Sequence, residues 1–225
     1  MTASQEPASS AAPPRLPPPP YRVYPDFLRP AEHAALLAWA LDNQARFTPA
    51  LLKGRLLDPK VRLALSLRDL GPSDPILRER LLERLAALVQ DLGITPFAPH
   101  RIELELAAHN HGAHFAAHVD TFTGEARAKT GDRIISGVYY FYRKPRSFSG
   151  GQLRLHRFGE ENEGFVDIEP AQNSFVAFPS WAMHEVRPVC CPSQDFADSR
   201  FAVNCWFYRA RTGQAGQSPK GGSIT

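Results

Sequence analysis

The stretch that decides the fold runs from His109 to Thr121 and reads His-Asn-His-Gly-Ala-His-Phe-Ala-Ala-His-Val-Asp-Thr. It contains four histidines and one aspartate, and it lies between segments in which apolar residues alternate. His118 and Asp120 are separated by one residue, and on a β-strand this spacing places both side chains on the same face. The pair therefore offers one imidazole and one carboxylate to a shared ligand.

A third ligand is available further along the chain, in Ser180-Trp-Ala-Met-His-Glu-Val, where His184 lies on a late predicted strand. Two histidines and one carboxylate on adjacent strands form the facial triad of non-haem Fe(II) oxygenases, which leaves positions open for a co-substrate and O2. An H-x-D pair alone occurs by chance in many chains, so an ordinary surface or core pair is the alternative. The downstream histidine favours the metal site over that alternative.

The segment Arg200-Phe-Ala-Val-Asn-Cys-Trp predicts a strand that begins with an arginine. Alternation puts Arg200 on the face that also holds Ala202, Asn204 and Trp206, and we expect this face to point inside. A buried guanidinium needs an anionic partner, and a bound carboxylate would match its planar fork. The alternative is an arginine at a strand start that reaches solvent or a structural aspartate.

The second half of the chain continues as short apolar segments separated by turn residues. Strands are predicted at 101–108, 114–120, 133–142, 151–156, 164–168, 173–178, 183–189 and 200–209. Eight strands at this spacing predict a sandwich, barrel or jelly roll, and argue against a parallel α/β sheet.

The first half is predicted to hold a Pro-rich tail, then strands and helices. Short strands are expected at 21–28 and 61–67. One helix is expected from Pro30 to Leu41, with proline in its first turn, and another from the cap Asp74 to Gly93. The predicted organisation is a disordered tail (1–20), an N-terminal helical support region of the same domain (21–98), the β-rich core (99–211) and a flexible tail (212–225).

Composition narrows the function classes. The chain has 225 residues, 43% of them hydrophobic and 22% charged, which is typical of a globular domain. The formal net charge is +3, with Lys and Arg interspersed among Asp and Glu. This pattern argues against a nucleic-acid partner, because nucleic-acid binders usually show a basic stripe. No apolar run is long enough to cross a bilayer, so no membrane partner is expected.

The N-terminus and the cysteines indicate a cellular location. Residues 1–14 lack the basic and apolar regions of a secretory signal. The three cysteines are an odd number and cannot form a disulfide framework. A zinc site built from them would lack a C-x-x-C spacing and a fourth ligand. A cytoplasmic protein with reduced thiols is therefore expected.

Residues 101–209 resemble the prolyl-hydroxylase branch of the Fe(II)/2-oxoglutarate-dependent dioxygenases in a series of motifs that occur in the same order. The motifs are Gly112-x-x-Phe115-x-x-His118-x-Asp120, Val138-Tyr-Tyr-Phe, Ser149-Gly-Gly-Gln-Leu, Asp167-Ile-Glu-Pro, Asn173-Ser-Phe-Val-Ala-Phe, His184-Glu-Val-Arg-Pro-Val and Arg200-Phe-Ala-Val-Asn-Cys-Trp. The resemblance implies a mainly β fold with flanking α-helices, namely a double-stranded β-helix or jelly roll.

The same resemblance implies a site and its cofactors. Fe(II) is expected on His118, Asp120 and His184, with 2-oxoglutarate and O2 as co-substrates and ascorbate as a further cofactor. Arg200 matches the residue that binds the distal carboxylate of 2-oxoglutarate, and Tyr140 matches one that hydrogen-bonds the same group. A tyrosine that is structural in the barrel core is the alternative for Tyr140.

One departure from the family pattern concerns His109. Relatives commonly have a tyrosine nine residues before the first iron ligand, and this chain has His109 there. Its imidazole could still contact 2-oxoglutarate, and a structural histidine is the alternative. The long loop between His184 and Arg200 is a second departure, so the assignment of Arg200 rests on its motif and not on spacing.

The family resemblance implies hydroxylation of an unactivated C–H bond, with succinate and CO2 as co-products. A peptidyl proline or other amino-acid residue in a peptide or protein is the expected substrate, and a free small molecule is the alternative. A metal-dependent jelly-roll binding module without turnover would explain the β pattern and the histidines, but not an inward Arg200. A zinc hydrolase would require a general-base carboxylate, for which the sequence offers no good candidate.

Overall fold

The computed structural model describes residues 17–52, 56–122, 131–157 and 164–210. Its helices are α1 (Pro30–Asp42) and α2 (Ser73–Asp91). Its strands are β1 (Arg22–Tyr24), β2 (Thr48–Pro49), β3 (Arg62–Leu63), β4 (Leu65–Leu67), β5 (Arg101–His109), β6 (His114–His118), β7 (Asp132–Phe141), β8 (Ser149–Gly150), β9 (Leu153–His156), β10 (Phe165–Ile168), β11 (Ser174–Pro179), β12 (His184–Val186), β13 (Val189–Cys190) and β14 (Arg200–Arg209).

Two antiparallel sheets form the framework. The larger sheet has the strand order β1-β11-β7-β14-β5-β4-β2, and the smaller one has the order β10-β9-β12-β6-β3. Strand β14 pairs along its length with β5 on one side and with β7 on the other. This arrangement agrees with the predicted jelly roll with flanking helices.

The alternation along β14 separates two hydrophobic regions. Phe201 and Val203 belong to a core cluster that also contains Leu36 of α1 and Leu81 of α2. Ala202 belongs to a second cluster, which includes Leu155 of the smaller sheet. One face of the large sheet therefore packs on the helices, and the other faces the smaller sheet, as the period-two pattern predicts.

Two predicted strands differ from those in the structure: one is divided and the other is shorter. The strand predicted at 61–67 is interrupted at Ala64, so that β3 joins the smaller sheet and β4 joins the larger one. The strand predicted at 151–156 begins only at Leu153, because Gly150 and Gly151 both have a positive φ. Positive φ breaks the extended backbone that a strand requires.

Another correction concerns the start of α2. The prediction places the N-cap at Asp74, but the helix begins at Ser73 with Pro72 as its cap residue. Asp74 instead lies in the first turn, where its carboxylate accepts a hydrogen bond from Arg78 at 2.5 Å. A carboxylate in this position is stabilised by the helix dipole and needs no capping role.

None of the helices in the described ranges combines the length and the apolar character that a membrane span requires. The predicted tails lie outside the described residues except for 17–20, and the division into a support region and a core stays a prediction.

Candidate metal centre

Two histidines meet where the smaller sheet pairs β6 with β12. His118 ends β6, His184 begins β12, and the two are directly opposite in the antiparallel register. Asp120 lies just beyond β6, and one ligand atom from each of the three residues lies within 4.8 Å of the others. His118 Nε2 is 3.8 Å from Asp120 Oδ1, and His184 Nε2 is 3.6 Å from Asp120 Oδ2.

The strand-spacing argument for His118 and Asp120 is wrong in one respect. The strand predicted at 114–120 ends at His118, so Asp120 is not part of it. The backbone N–H of Asp120 instead donates to the carbonyl of Ser180 at 3.0 Å. The turn that precedes His184 therefore fixes the position of the carboxylate.

Both imidazoles are oriented by their own backbone. His118 Nδ1 lies 2.8 Å from the carbonyl oxygen of Ala116, and His184 Nδ1 lies 2.9 Å from that of Ala182. Because a carbonyl oxygen only accepts, each Nδ1 carries a hydrogen, and Nε2 is the ring atom that each histidine offers to a metal. The ring of Phe115 stacks on that of His118, with centroids 3.6 Å apart.

The Asp120 carboxylate is buried and held by hydrogen bonds. Its Oδ2 accepts from Ser136 Oγ at 2.7 Å and from Trp206 Nε1 at 2.9 Å. Burial by itself raises the pKa of Asp120, but the two imidazoles, Arg133 and the Ser136 hydroxyl together hold it below its ordinary value. Asp120 is therefore ionised, as a metal ligand must be.

Arg200 forms the second part of the site and is only 1% exposed. Its NH1 donates to His109 Nδ1 at 3.1 Å, and its guanidinium carbon lies 4.7 Å from the centroid of the Tyr140 ring. Among the residues that the structure describes, no carboxylate forms an ion pair with Arg200, and neither Arg200 Nε nor Tyr140 OH has a hydrogen-bond partner. The guanidinium of Arg200 and the hydroxyl of Tyr140 thus lie side by side in the interior, each with a polar atom that has no hydrogen-bond partner among the described residues.

A glycine makes room for this guanidinium. Gly151 has φ +72°, and a Cβ at this position would lie 2.7 Å from Arg200 Cδ and 3.1 Å from Arg200 Nε. Any side chain here would displace the arginine and would also strain the backbone. Gly151, the second glycine of the Ser149-Gly-Gly motif, is therefore required for Arg200 to pack in this position.

His109 is neutral in this setting. Burial lowers the pKa of His109 well below its ordinary value, and the nearby charges of Arg200 and Arg62 lower it further. A neutral imidazole can accept the hydrogen bond from Arg200, whereas a protonated one could not.

The His-Asp-His cluster and Arg200 lie on one interior face. On β7, Ser136 and Tyr140 share strand parity, and on β14, Trp206 shares parity with Arg200. Ser136 pairs with Trp206 across the strands, and both donate to Asp120. At the other end of the same face Tyr140 lies beside Arg200. The interior thus joins the His-Asp-His cluster at one end to the buried guanidinium of Arg200 at the other.

Comparison with known families identifies this arrangement. Residues 104–208 match the model of the 2OG-Fe(II) oxygenase superfamily. These residues, just under half of the chain, are thus similar to that superfamily. The oxygenase region contains all of the predicted site residues: His109, His118, Asp120, Tyr140, His184 and Arg200.

A relative extends the likeness beyond the oxygenase region. The chain is 35% identical over 187 residues to an uncharacterised PKHD-type hydroxylase of Synechocystis sp., which covers 80% of this chain and 60% of the relative. The chain therefore spans about three fifths of the length of that relative.

Solved structures show the same fold. A prolyl hydroxylase from Trichoplax adhaerens, in complex with a hypoxia-inducible-factor peptide fragment, aligns with a TM-score of 0.65 at 19% identity and covers 84% of each chain. A Pseudomonas putida prolyl-4-hydroxylase aligns with a TM-score of 0.62 at 22% identity, covering 84% of this chain and 92% of the other. The predicted double-stranded β-helix and the predicted likeness to prolyl hydroxylases are confirmed.

A cleft lies beside the His-Asp-His cluster, between residues of the matched region and residues that precede it. Its volume is about 690 Å³, and its walls include His118 and Asp120 together with the aromatic rings of Phe115, Phe122 and Trp206. His111 and His114 lie outside the His-Asp-His cluster. His111 lies in a turn, and the His114 ring contacts the carbonyls of Gly112 and Lys60.

The sequence did not assign Ser136, Trp206 and Arg133 as partners of Asp120. Strand parity was the available signal, because it places Ser136 with Tyr140 and Trp206 with Arg200. Their convergence on one carboxylate depends on the register of β7 against β14.

Proposed function

We propose that this chain is an Fe(II)- and 2-oxoglutarate-dependent dioxygenase that hydroxylates an unactivated C–H bond. In this proposal His118, Asp120 and His184 hold Fe(II), and Arg200 and Tyr140 bind the distal carboxylate of 2-oxoglutarate. O2 is the second co-substrate, and succinate and CO2 are the co-products. The similarity of residues 104–208 to the 2OG-Fe(II) oxygenase superfamily supports Fe(II) and 2-oxoglutarate as the cofactors.

The observation on which this proposal rests is the pairing of two features on one interior face. A His-Asp-His cluster lies at one end, and a buried guanidinium without a carboxylate partner, among the described residues, lies at the other. A buried unpaired guanidinium is costly unless an anion binds it. A metal-binding module or a zinc hydrolase would explain the cluster but would give Arg200 no role.

The donor set also fits the metal. Two neutral imidazoles and one carboxylate on one side of a metal suit Fe(II) and leave further positions open. When Fe(II), 2-oxoglutarate and O2 are bound, they supply the oxidation that adds a hydroxyl group to a C–H bond, while the protein supplies position and environment.

The chain's own residues then have distinct tasks. The backbone carbonyls of Ala116 and Ala182 hold both imidazoles with Nε2 toward the metal. Ser136 and Trp206 fix Asp120. Tyr140 OH, which is buried without a partner in the described part of the chain, is available as a donor to the carboxylate that Arg200 binds. In this proposal His109, as a neutral acceptor, orients Arg200 and needs no direct contact with 2-oxoglutarate.

For the substrate we favour a peptidyl proline or another amino-acid residue. One similar structure is a prolyl hydroxylase in complex with a peptide fragment, and the cleft is open enough to admit a chain segment beside the metal cluster. The rings of Phe115, Phe122 and Trp206 give that cleft an apolar wall, which suits a pyrrolidine ring.

The test uses the full chain, purified under anaerobic conditions. Addition of Fe(II) and 2-oxoglutarate should give a visible charge-transfer band, and admission of O2 should then give succinate. His118→Ala should lose both signals. Zinc-only binding, or succinate formation that is unchanged in His118→Ala, would refute the oxygenase. Omission of ascorbate tests the predicted need for it, and a screen of proline peptides against free metabolites separates the two substrate classes.

A further inference from the structure

Among the described residues, the cleft is lined by more guanidinium groups than carboxylates. Four of the guanidinium groups that line it, those of Arg62, Arg68, Arg101 and Arg133, share the carboxylates of Glu103 and Glu105. Asp120 is a further carboxylate of the cleft, but it belongs to the metal cluster. Asp120 Oδ1 lies 3.7 Å from Arg133 NH1, so among the described residues three carboxylates in all face these four cations.

Glu103 is shared most widely. Its carboxylate accepts from Arg68 NH1 at 2.7 Å and from Tyr208 OH at 2.6 Å. Arg133 NH2 lies 3.3 Å from it and Arg101 NH2 lies 3.6 Å from it. Burial raises the pKa of Glu103, but the hydrogen bonds from Tyr208 and Arg68 and the charge of Arg133 lower it to about 2. Glu103 is therefore fully ionised, and the cations still outnumber it.

Glu105 does not remove the excess. Its carboxylate forms a buried ion pair with Arg62 at 2.5 Å, and Arg68 NH2 reaches it only at 3.6 Å. Arg62 is thereby neutralised in place. The surplus positive charge is left on the arginines that share Glu103.

Two of these arginines are fixed inside and two are at the surface. The side chains of Arg62 and Arg133 are 7% and 9% exposed, and Arg133 lies over the rings of Phe122 and Trp206. The side chains of Arg68 and Arg101 are 68% and 44% exposed. Arg101 stacks on the Tyr208 ring with its guanidinium carbon 4.0 Å from the centroid. The unbalanced charge is therefore presented to solvent at the cleft mouth.

We propose that Arg68 and Arg101 select peptide substrates that carry acidic residues beside the residue to be hydroxylated. This inference rests on the proposed function and adds a substrate class to it. Guanidinium groups bind carboxylates through a two-pronged fork. In the described part of the cleft mouth, the excess of guanidinium groups over carboxylates gives a positive potential, which favours binding of an acidic peptide segment.

The first experiment measures binding and does not depend on turnover. Two fluorescein-labelled peptides, Gly-Glu-Glu-Leu-Pro-Glu-Glu-Gly and its counterpart with Gln at every Glu, are titrated with the full chain by fluorescence anisotropy, with and without Mn²⁺. We expect the acidic peptide to bind about tenfold more tightly at low salt. Raising the ionic strength should reduce this preference, because exposed charges are screened.

Variants of Arg68 and Arg101 test whether these two residues cause the preference for the acidic peptide. In Arg68→Gln/Arg101→Gln the acidic and neutral peptides should bind about equally, while Arg68→Lys/Arg101→Lys, which keeps both charges, should retain part of the preference. Arg22→Gln is the matched control, because Arg22 is 52% exposed and pairs with Asp91 but does not line the cleft. It should leave the preference unchanged. Thermal unfolding of each variant checks that the variant is folded.

Equal binding of the two peptides to the native chain would refute the inference. So would a preference that survives in Arg68→Gln/Arg101→Gln. Neither result bears on the oxygenase chemistry, which the succinate assay tests separately. Where a peptide is turned over, the acidic residues should lower KM and leave kcat unchanged, because Arg68 and Arg101 act on binding and not on the reacting bond.

Discussion

Arg200 and His109 face each other as a register pair across β14 and β5, and the charged side chain donates to a neutral one at 3.1 Å. The guanidinium is thus held in place without being neutralised. A carboxylate in place of His109 would satisfy Arg200 permanently and would compete with any anion that enters the pocket. The neutral imidazole fixes the position of the cation and leaves its charge available.

This pairing predicts opposite effects of Arg200→Met on stability and on binding. Methionine fills much of the same volume but removes a buried charge that lacks an anionic partner. We expect the free energy of unfolding of the ligand-free chain to rise by about 1–4 kcal/mol. Binding of 2-oxoglutarate in the presence of Mn²⁺ should fall by about a hundredfold, because the carboxylate loses its cation. Urea unfolding and calorimetric titration measure the two effects.

Arg200→Lys serves as the control for that experiment. It keeps the charge but loses the planar fork, so it should stay closer to the native chain in stability and bind 2-oxoglutarate more weakly. If Arg200→Met kept native affinity for 2-oxoglutarate, Arg200 would have no role in binding it.

Gly151→Ala should displace the side chain of Arg200. Its Cβ would lie 2.7 Å from Arg200 Cδ, at a φ of +72°. Gly93→Ala is the matched control, because Gly93 has φ +63° and nothing within 4 Å of a Cβ. Each substitution should cost about 1–2 kcal/mol of backbone strain. We expect only Gly151→Ala to weaken 2-oxoglutarate binding, by about tenfold or more, in a thermal-shift titration. Equal loss of affinity in both variants would contradict the packing role.

Much of the β core could be predicted from sequence, because its pattern is local. Every strand predicted between residues 101 and 209 has a counterpart in the structure. Alternation along Arg200–Trp206 correctly placed Arg200 inside, since period-two patterning decides which face is buried. His184 was recognised as a companion of His118 by its position in a late strand, and the two prove to be register partners.

What could not be predicted depends on distant pairing. The donation of Ser136 and Trp206 to one oxygen of Asp120 requires the β7–β14 register, which no local pattern contains. The ion pair between Arg68, the residue after β4, and Glu103 of β5 depends on the pairing of these two strands. The sequence showed only scattered charges there. The family pattern singled out His109, but its bond to Arg200 appeared only when β5 and β14 were paired.

The neutral His109 predicts a pH dependence of stability. The unfolded chain protonates this histidine below a pH of about 6.5, whereas burial and Arg200 lower the pKa of the folded imidazole well below that value. The unfolded state therefore binds the extra proton, and stability falls as the pH drops from about 7 to 5. The slope from this one group is at most about 1.4 kcal/mol per pH unit.

The variant His109→Gln should flatten this part of the curve. Its side-chain carbonyl can still accept from Arg200, but it does not titrate. His33, whose pKa is also lowered by burial, adds a slope of the same sign that remains in the variant. Glu32 and Glu103, with pKa values lowered to about 2, affect stability only at lower pH. Urea unfolding at several pH values between 5 and 8 measures the slopes, and parallel curves for the two proteins would exclude His109 as the source.

The partners of Asp120 predict a graded loss of metal affinity. Ser136→Ala removes a donor at 2.7 Å from Asp120 Oδ2 and leaves the three ligand residues in place. Substitution of a residue that orients a metal ligand typically lowers metal affinity by about 10–100-fold. We expect the affinity for Mn²⁺, measured by calorimetry, to fall within this range. Ser136→Ala/Trp206→Phe removes both donors and should weaken binding further. Ser73→Ala, which removes a buried hydroxyl in α2, should bind Mn²⁺ like the native chain. Native affinity in the double variant would mean that the three ligand residues alone determine the affinity of the site.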